Sequence, residues 1–232
     1  MKKPRILIIN PNSSEEMTGT IHRNAAAFAG DDIEVLTVPT PGTSPFIATY
    51  EDHAMAAPGM VRLLRENEDS FDAFVIACHG DPNIDLMKEI TTKPVVGIAE
   101  ASMKIATMLG HSFSVIAPVE RTVPNKKALI DKYGLSRDMA SVRPASIEQG
   151  ADEAERLIAA GRRAVEEDMA EVLVLGCAGF AGLDKRMEKE LGVPVLDGVI
   201  CALIVASGLV KYGVSISKKR RYDHTFGKRK EA

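Results

Sequence analysis

Phe71 to Pro82 reads FDAFVIACHGDP, and a second stretch, Ala170 to Leu183, reads AEVLVLGCAGFAGL. In each, a short run rich in Val, Ile and Leu ends on a cysteine, with a glycine two residues further on. Runs of this length and composition are what parallel strands buried on both faces look like. In an open α/β sheet, ligands sit beyond the carboxyl ends of the strands, so Cys78 and Cys177 fall where chemistry is done. Gly80 and Gly179 let the chain turn and approach a small ligand closely.

Working outward from these two stretches, the halves of the chain match in outline. Cys78 precedes the strand opener Pro94 by 16 residues, and Cys177 precedes Pro194 by 17. Upstream, Ile8-Ile9-Asn10-Pro11 has its counterpart in Val115-Ile116-Ala117-Pro118. Three coincidences in register imply an internal duplication. The expected fold is therefore α/β, with two pseudo-symmetric Rossmann-like lobes, each with a parallel sheet, and a site in the cleft between them. The first lobe is assigned residues 1–98 and the second 99–207, with 208–232 packing back on the first.

Periodicity and punctuation supply the other elements. Strands are expected near Arg5–Ile9, Ile33–Val38, Pro94–Ile98, Ser112–Ala117, Ser141–Pro144 and Val193–Leu196, besides the two cysteine runs. Helices are expected over 15–29, 51–66, 84–90, 100–109, 126–133, 148–168, 185–191 and 198–212.

Composition excludes several classes. The chain has 232 residues, 45% hydrophobic and 26% charged, which is ordinary for a soluble globular protein. A net charge of −3 supplies no global basic field for nucleic acid or membrane surfaces. Three cysteines do not make a disulfide framework and suit a reduced cytoplasm. The apolar run Ile6–Ile9 is too short for a signal peptide, and no apolar span is of membrane-crossing length. The basic residues at 218–221 and 228–230 read as a solvated terminus.

Two thiols facing each other across one carbon can act as base and acid of matched strength. A free thiol has a pKa near ~8.5, lowered by free N–H groups or a nearby cation. One cysteine as thiolate removes a proton from one face of a planar carbanion precursor, and the other, as thiol, returns one to the opposite face. No metal, flavin or pyridoxal is needed, so no cofactor is expected. The C–H must adjoin a carbonyl, and the developing oxyanion must meet donors. Main-chain N–H groups at Asn12-Ser13, Gly80-Asp81 and Gly179-Phe180 are the candidates. A lone cysteine at the end of a core strand is usually a small buried hydrophobe; the matched pair reverses that expectation. Cys201, in an apolar helix, is assigned to the core. His79 could take part in proton transfer, but successive residues leaving a strand point to opposite sides. Asp81 could bind substrate or cap the turn. Ser13, Ser14, Thr43 and Ser44 are sheet-end donors or caps. No histidine or cysteine has metal-ligand spacing.

Taken together, INPNSS at 9–14, ACHGDP at 77–82, ERTVP at 120–124, GCAGFAGL at 176–183 and VPVLDGV at 193–199 make the sequence resemble the aspartate/glutamate/hydantoin racemase superfamily, in its hydantoin and allantoin racemase branch. The resemblance covers nearly the whole chain. It implies two α/β lobes with the site between them, and Cys78 and Cys177 as base and acid. It implies a cyclic ureide substrate held by Asn12, the loop at Ser44, the Gly80-Asp81 and Gly179-Phe180 backbone, and Thr122-Val123; His79, beside Cys78, is a further substrate-binding candidate from its position. It also implies a homo-oligomer. Two positions depart from the branch pattern: His79 stands where an aromatic or apolar residue is typical, and Ala48 where an acidic one is common. Both touch the pocket wall and so the ring substituent.

Two other functions compete. One is a related isomerase, such as an amino-acid racemase or a maleate isomerase in which a thiolate adds to the double bond. An open-chain dicarboxylate would need cationic clamps, for which the sequence offers Arg121. The other is a non-catalytic two-lobed binding protein with incidental thiols.

Overall fold

The strand Arg5–Asn10 (β1) shows how the sequence builds the first lobe. Ile6 and Ile8 belong to one apolar core, and Leu7 and Ile9 to another. Alternate side chains point to opposite faces of a strand, so a continuous ILII run is what two covered faces require. Ala73–Ile76 (β3) repeats this, with Ala73 and Val75 on one side and Phe74 and Ile76 on the other. In the second lobe Val172–Leu175 (β7) places Val172 and Val174 in one core and Leu173 and Leu175 in another. The computed structural model describes residues 3–145, 152–223 and 225.

The remaining strands are Glu34–Pro39 (β2), Val95–Gly97 (β4), Phe113–Ala117 (β5), Met139–Pro144 (β6) and Val195–Leu196 (β8). They form two four-stranded sheets, ordered β2-β1-β3-β4 and β6-β5-β7-β8, with every pairing parallel. The identical order is the duplication read from the sequence. Even the register repeats: Ile9 pairs with Ile76, and Ile116 with Leu175.

Helices Glu15–Ala29 (α1), Tyr50–Asn67 (α2), Ile84–Ile90 (α3) and Ile98–Leu109 (α4) follow the strands of the first sheet. Val123–Lys132 (α5), Glu153–Asp168 (α6), Asp184–Leu191 (α7) and Gly198–Tyr212 (α8) follow those of the second. Helices α1, α2, α6 and α8 start on side-chain caps. Ser14 accepts the Met17 N–H at the start of α1, and Thr49 and Asp52 form a capping box on α2. The expected helix over 148–168 is seen from Glu153; residues 146–151 lie outside the described residues. Helix α5 begins three residues earlier than expected, because Pro124 is tolerated in a first helical turn.

The last helix of each half crosses to the other. Val199, Cys201, Ala202, Leu203 and Ala206 of α8 pack in the core of the first sheet, with Ile6, Ile8 and Val75. The boundary drawn at 207/208 from sequence falls inside α8, whose buried face belongs to the first lobe from its start. Likewise Ala99, Met103 and Ala106 of α4 pack under the second sheet with Phe113 and Val115. The segment beyond α8 runs along α3: the Ile216 N–H donates to the Thr92 carbonyl, and Lys218 Nζ to the carbonyls of Lys88 and Glu89. Among the described residues no helix is long and apolar enough to cross a membrane.

Candidate active site

Each cysteine stands two residues past the last residue of its strand, in the same local turn. The Ala77 N–H donates to the Ile9 carbonyl and the Gly176 N–H to the Ile116 carbonyl, both at 2.9 Å, so sheet pairing continues to the residue before each thiol. Beyond it the chain curls back. The Asp81 N–H donates to the Cys78 carbonyl (2.9 Å) and the Phe180 N–H to the Cys177 carbonyl (3.2 Å). The Gly179 N–H lies 3.4 Å from Cys177 Sγ, and the Gly80 N–H bears on Cys78 in the same way.

Both thiols line one cleft with a cavity of about 490 Å³, a size suited to a small organic ligand. Phe46, Ile47 and Tyr50 supply its apolar rim, and Asn12, His53, His79 and Lys126 supply polar atoms. Both cysteines are half-buried and free. Burial pushes Cys78 up to about 12 and also raises Cys177. Against this, the Lys126 charge and the glycine N–H favour thiolate on each, while Cys177 is near enough to oppose a second negative charge on Cys78.

Lys126 was not singled out in the sequence. It is buried on α5, with Nζ donating to the His79 carbonyl at 2.8 Å and 3.4 Å from His79 Nδ1. The other imidazole nitrogen is 3.5 Å from Ser102 Oγ, whose own proton goes to the Ile98 carbonyl. Nδ1 thus accepts and Nε2 carries the hydrogen. Burial, helped by Lys126, holds His79 well below the usual imidazole range, so it is neutral at physiological pH. It bridges α5 and α4.

Asp81 caps α4. Its carboxylate accepts from the Ala99 N–H (3.1 Å), the Glu100 N–H (2.8 Å) and the Tyr133 hydroxyl (2.7 Å). The N-cap position itself is Gly97, where an added Cβ would meet that carboxylate at 2.3 Å. In the second half the arrangement is inverted. Asp197 occupies the N-cap of α8, accepting from the Val199 N–H (2.7 Å), and also takes the Gly182 N–H and Asn24 Nδ2. Instead of capping the turn after Cys78, as expected from sequence, the Asp81 side chain holds the start of α4 at the cleft edge.

Of the residues expected at the site, Asn12, Cys78, His79, Gly80, Asp81, Thr122 and Cys177 line the cavity; Ser44, Val123, Gly179 and Phe180 do not. Ser44 turns its hydroxyl to the Phe46 carbonyl, Val123 starts α5, and Phe180 packs with Leu157 and Leu175. The expected main-chain oxyanion donors are all engaged. The Asn12 N–H goes to Asn10 Oδ1 and the Ser13 N–H to the Ser44 carbonyl, in addition to the four N–H groups of the cysteine turns. Arg121 is exposed and absent from the lining; the cations that line the cleft are Lys126, which is buried, and Lys132, which pairs with Asp85. His53, half-buried on α2, is a second residue the sequence did not mark; its imidazole lies against Gly80, and burial lowers its pKa. Among the described residues no cluster of His, Cys, Asp or Glu could hold a metal ion.

Comparison with known proteins gives consistent matches. Residues 6–206 match the family profile described as Asp/Glu/Hydantoin racemase. A hydantoin racemase of Pseudomonas sp. (strain NS671) is 38% identical over 95% of this chain and 91% of its own. The allantoin racemase structure from Klebsiella pneumoniae superposes with a TM-score of 0.90 at 36% identity, covering 95% of this chain and 93% of that one. The allantoin racemase structure from Pseudomonas fluorescens superposes with a TM-score of 0.89 at 33% identity, covering 94% and 95%.

Proposed function

The chain belongs to the Asp/Glu/hydantoin racemase family and is an isomerase, and from that premise we propose that it racemises 5-substituted hydantoins, with allantoin a close variant, by passing protons between Cys78, the ring C5 and Cys177. The observation that carries the proposal is the pair of half-buried thiols in matching turns on one cleft. A thiolate on one side takes the C5 proton, and the C–H electron pair moves into the ring as an enolate on the adjacent carbonyl. The opposite thiol then gives its proton to the other face of C5 and is left as thiolate. The enzyme ends with the proton on the first cysteine, so the reverse reaction exchanges the roles. The adjacent carbonyl and the planar ring make C5–H acidic enough for thiols to manage without an external electron sink. His79 and Ala48 on the cleft wall bear on which 5-substituent is accepted.

The test is racemisation of single enantiomers in heavy water, followed by polarimetry and mass spectrometry over L- and D-hydantoins and allantoin. Optical rotation decays while C5 gains one deuterium per turnover. Binding without wash-in would make the protein a two-lobed binder and remove the proposal. The same reading carries a cytoplasmic location and a homo-oligomer; cell fractionation checks the first and sedimentation of the purified protein the second.

A further inference from the structure

We infer that Lys126 balances the negative charge that the two thiols carry in turn, and so sets the pH at which either becomes a base. This role presupposes the two-thiol racemisation proposed above. During that reaction the cleft holds one unit of negative charge throughout: first on one sulfur, then on the ring oxygen, then on the other sulfur. A fixed cation beside that path favours every one of these states over the neutral cleft.

Lys126 is placed for this. Only 7% of it is exposed, it lines the cavity shared by Cys78 and Cys177, and its charge favours thiolate at both. Among the described residues it forms no ion pair with a carboxylate. Its Nζ is held by the neutral His79, through the carbonyl and Nδ1. Burial lowers the Lys126 ammonium from its ordinary range, while the two thiols and Asp81 support its charge and His53 on the facing helix opposes it. Asp81 is already saturated by two N–H groups and the Tyr133 hydroxyl. A buried ammonium without a carboxylate costs several kcal/mol, which a purely structural lysine gives no reason to bear. The main-chain donors expected to meet the oxyanion are engaged elsewhere. Removing Lys126 would therefore leave both sulfurs with only the glycine N–H groups to offset burial.

The experiment compares wild type, Lys126→Met and Lys126→Arg by iodoacetamide alkylation of each cysteine across pH, read by mass spectrometry, alongside the pH profile of kcat. Neighbouring charges shift a thiol by about 1–3 units. Below the wild-type midpoint, K126M should therefore alkylate about 10- to 1000-fold more slowly at Cys78 and Cys177, with Cys201 unaffected. The alkaline rise of kcat should move up by the same interval, and K126R should restore most of both. A folded K126M whose alkylation midpoints match wild type overturns the role. Should K126M not fold, K126Q, whose amide can still donate to the His79 carbonyl, gives the same comparison. If wild-type protein racemises no ureide, the proposed function fails, while the alkylation midpoints still decide whether Lys126 governs the thiols.

Discussion

Asp81→Asn should make the protein's stability less dependent on pH, and the size of the change can be worked from the cap. Burial raises the Asp81 carboxyl from 3.8 to about 6, against the opposing pull of the Tyr133 hydroxyl and the Glu100 and Ala99 N–H groups. A carboxyl raised on folding binds its proton more tightly in the native state. Its contribution is thus fully present below pH 3.8 and is lost as pH rises through about 6. Two units and a little more, at 1.36 kcal/mol each, amount to about 3 kcal/mol. Asparagine is neutral at every pH and keeps an oxygen for the α4 N–H groups. Asp52, Asp85, Glu100 and Asp168, held below their ordinary values, lower the acid stability of both proteins alike. The quantity to follow is therefore the difference in unfolding free energy, wild type minus D81N, from urea titrations between about pH 3 and 8. It should fall by about 3 kcal/mol across that interval, most of it between pH 4 and 6.5. In thermal scans this corresponds to a relative shift of about 6–12 °C for a chain of this size. A flat difference would mean that the buried carboxylate is charged throughout as an ordinary cap, and that burial does not set its proton affinity.

Other perturbations have equally definite outcomes. Cys78→Ser and Cys177→Ser should each lower kcat by about 10²- to 10⁴-fold, the usual worth of a general acid or base, with melting temperatures close to wild type. Near-normal turnover of both enantiomers by either variant would refute the two-base scheme. Asp197→Ala should cost about 2–4 kcal/mol, because it removes the α8 cap and strands the Gly182 N–H and the Asn24 amide. Denaturant titration at neutral pH gives that number directly.

The architecture was legible because it rests on local signals that repeat. Apolar runs, their flanking turns and the spacing from each cysteine to the next proline sufficed to give two matching lobes with parallel sheets; the shared strand order is the structure's addition. The thiols were legible for the same reason. What stayed hidden depended on contacts that local sequence does not display. Lys126 sits one helical turn from Ile130, on the buried stripe of α5, and a lysine on an apolar stripe was the available sign. Its partner His79 lies 47 residues away, so nothing local connects the two. His53 stands in the first turn of α2, among residues whose pattern says only amphipathic helix. The loop donors expected at Asp81 and Phe180 were misplaced because a turn spends its own N–H groups on closing itself, a cost that sequence spacing does not display.

The inverted caps of α4 and α8 show that the two halves solved one problem by different routes, and they can be exchanged experimentally. Gly97 and Asp197 hold the same N-cap position in nearly the same backbone conformation, φ −84° and ψ 142° against φ −82° and ψ 121°. Gly97 is therefore not required by its dihedral angles; it is small because the Asp81 carboxylate occupies the space a side chain would take. Gly97→Asp alone forces two carboxylates together and should be strongly destabilising, by more than the ~1–3 kcal/mol of simple overpacking. Asp81→Ala alone removes a cap and strands the Tyr133 hydroxyl, and should cost about 2–4 kcal/mol. Made together, they recreate the arrangement at α8, with the acid at the N-cap and an apolar residue in the loop. The double variant should then be more stable than the sum of the single changes, with a coupling of about 1–3 kcal/mol. Strict additivity in that cycle would show that Gly97 and Asp81 do not compete for one place, and that the α4 start is held by something other than the cleft carboxylate.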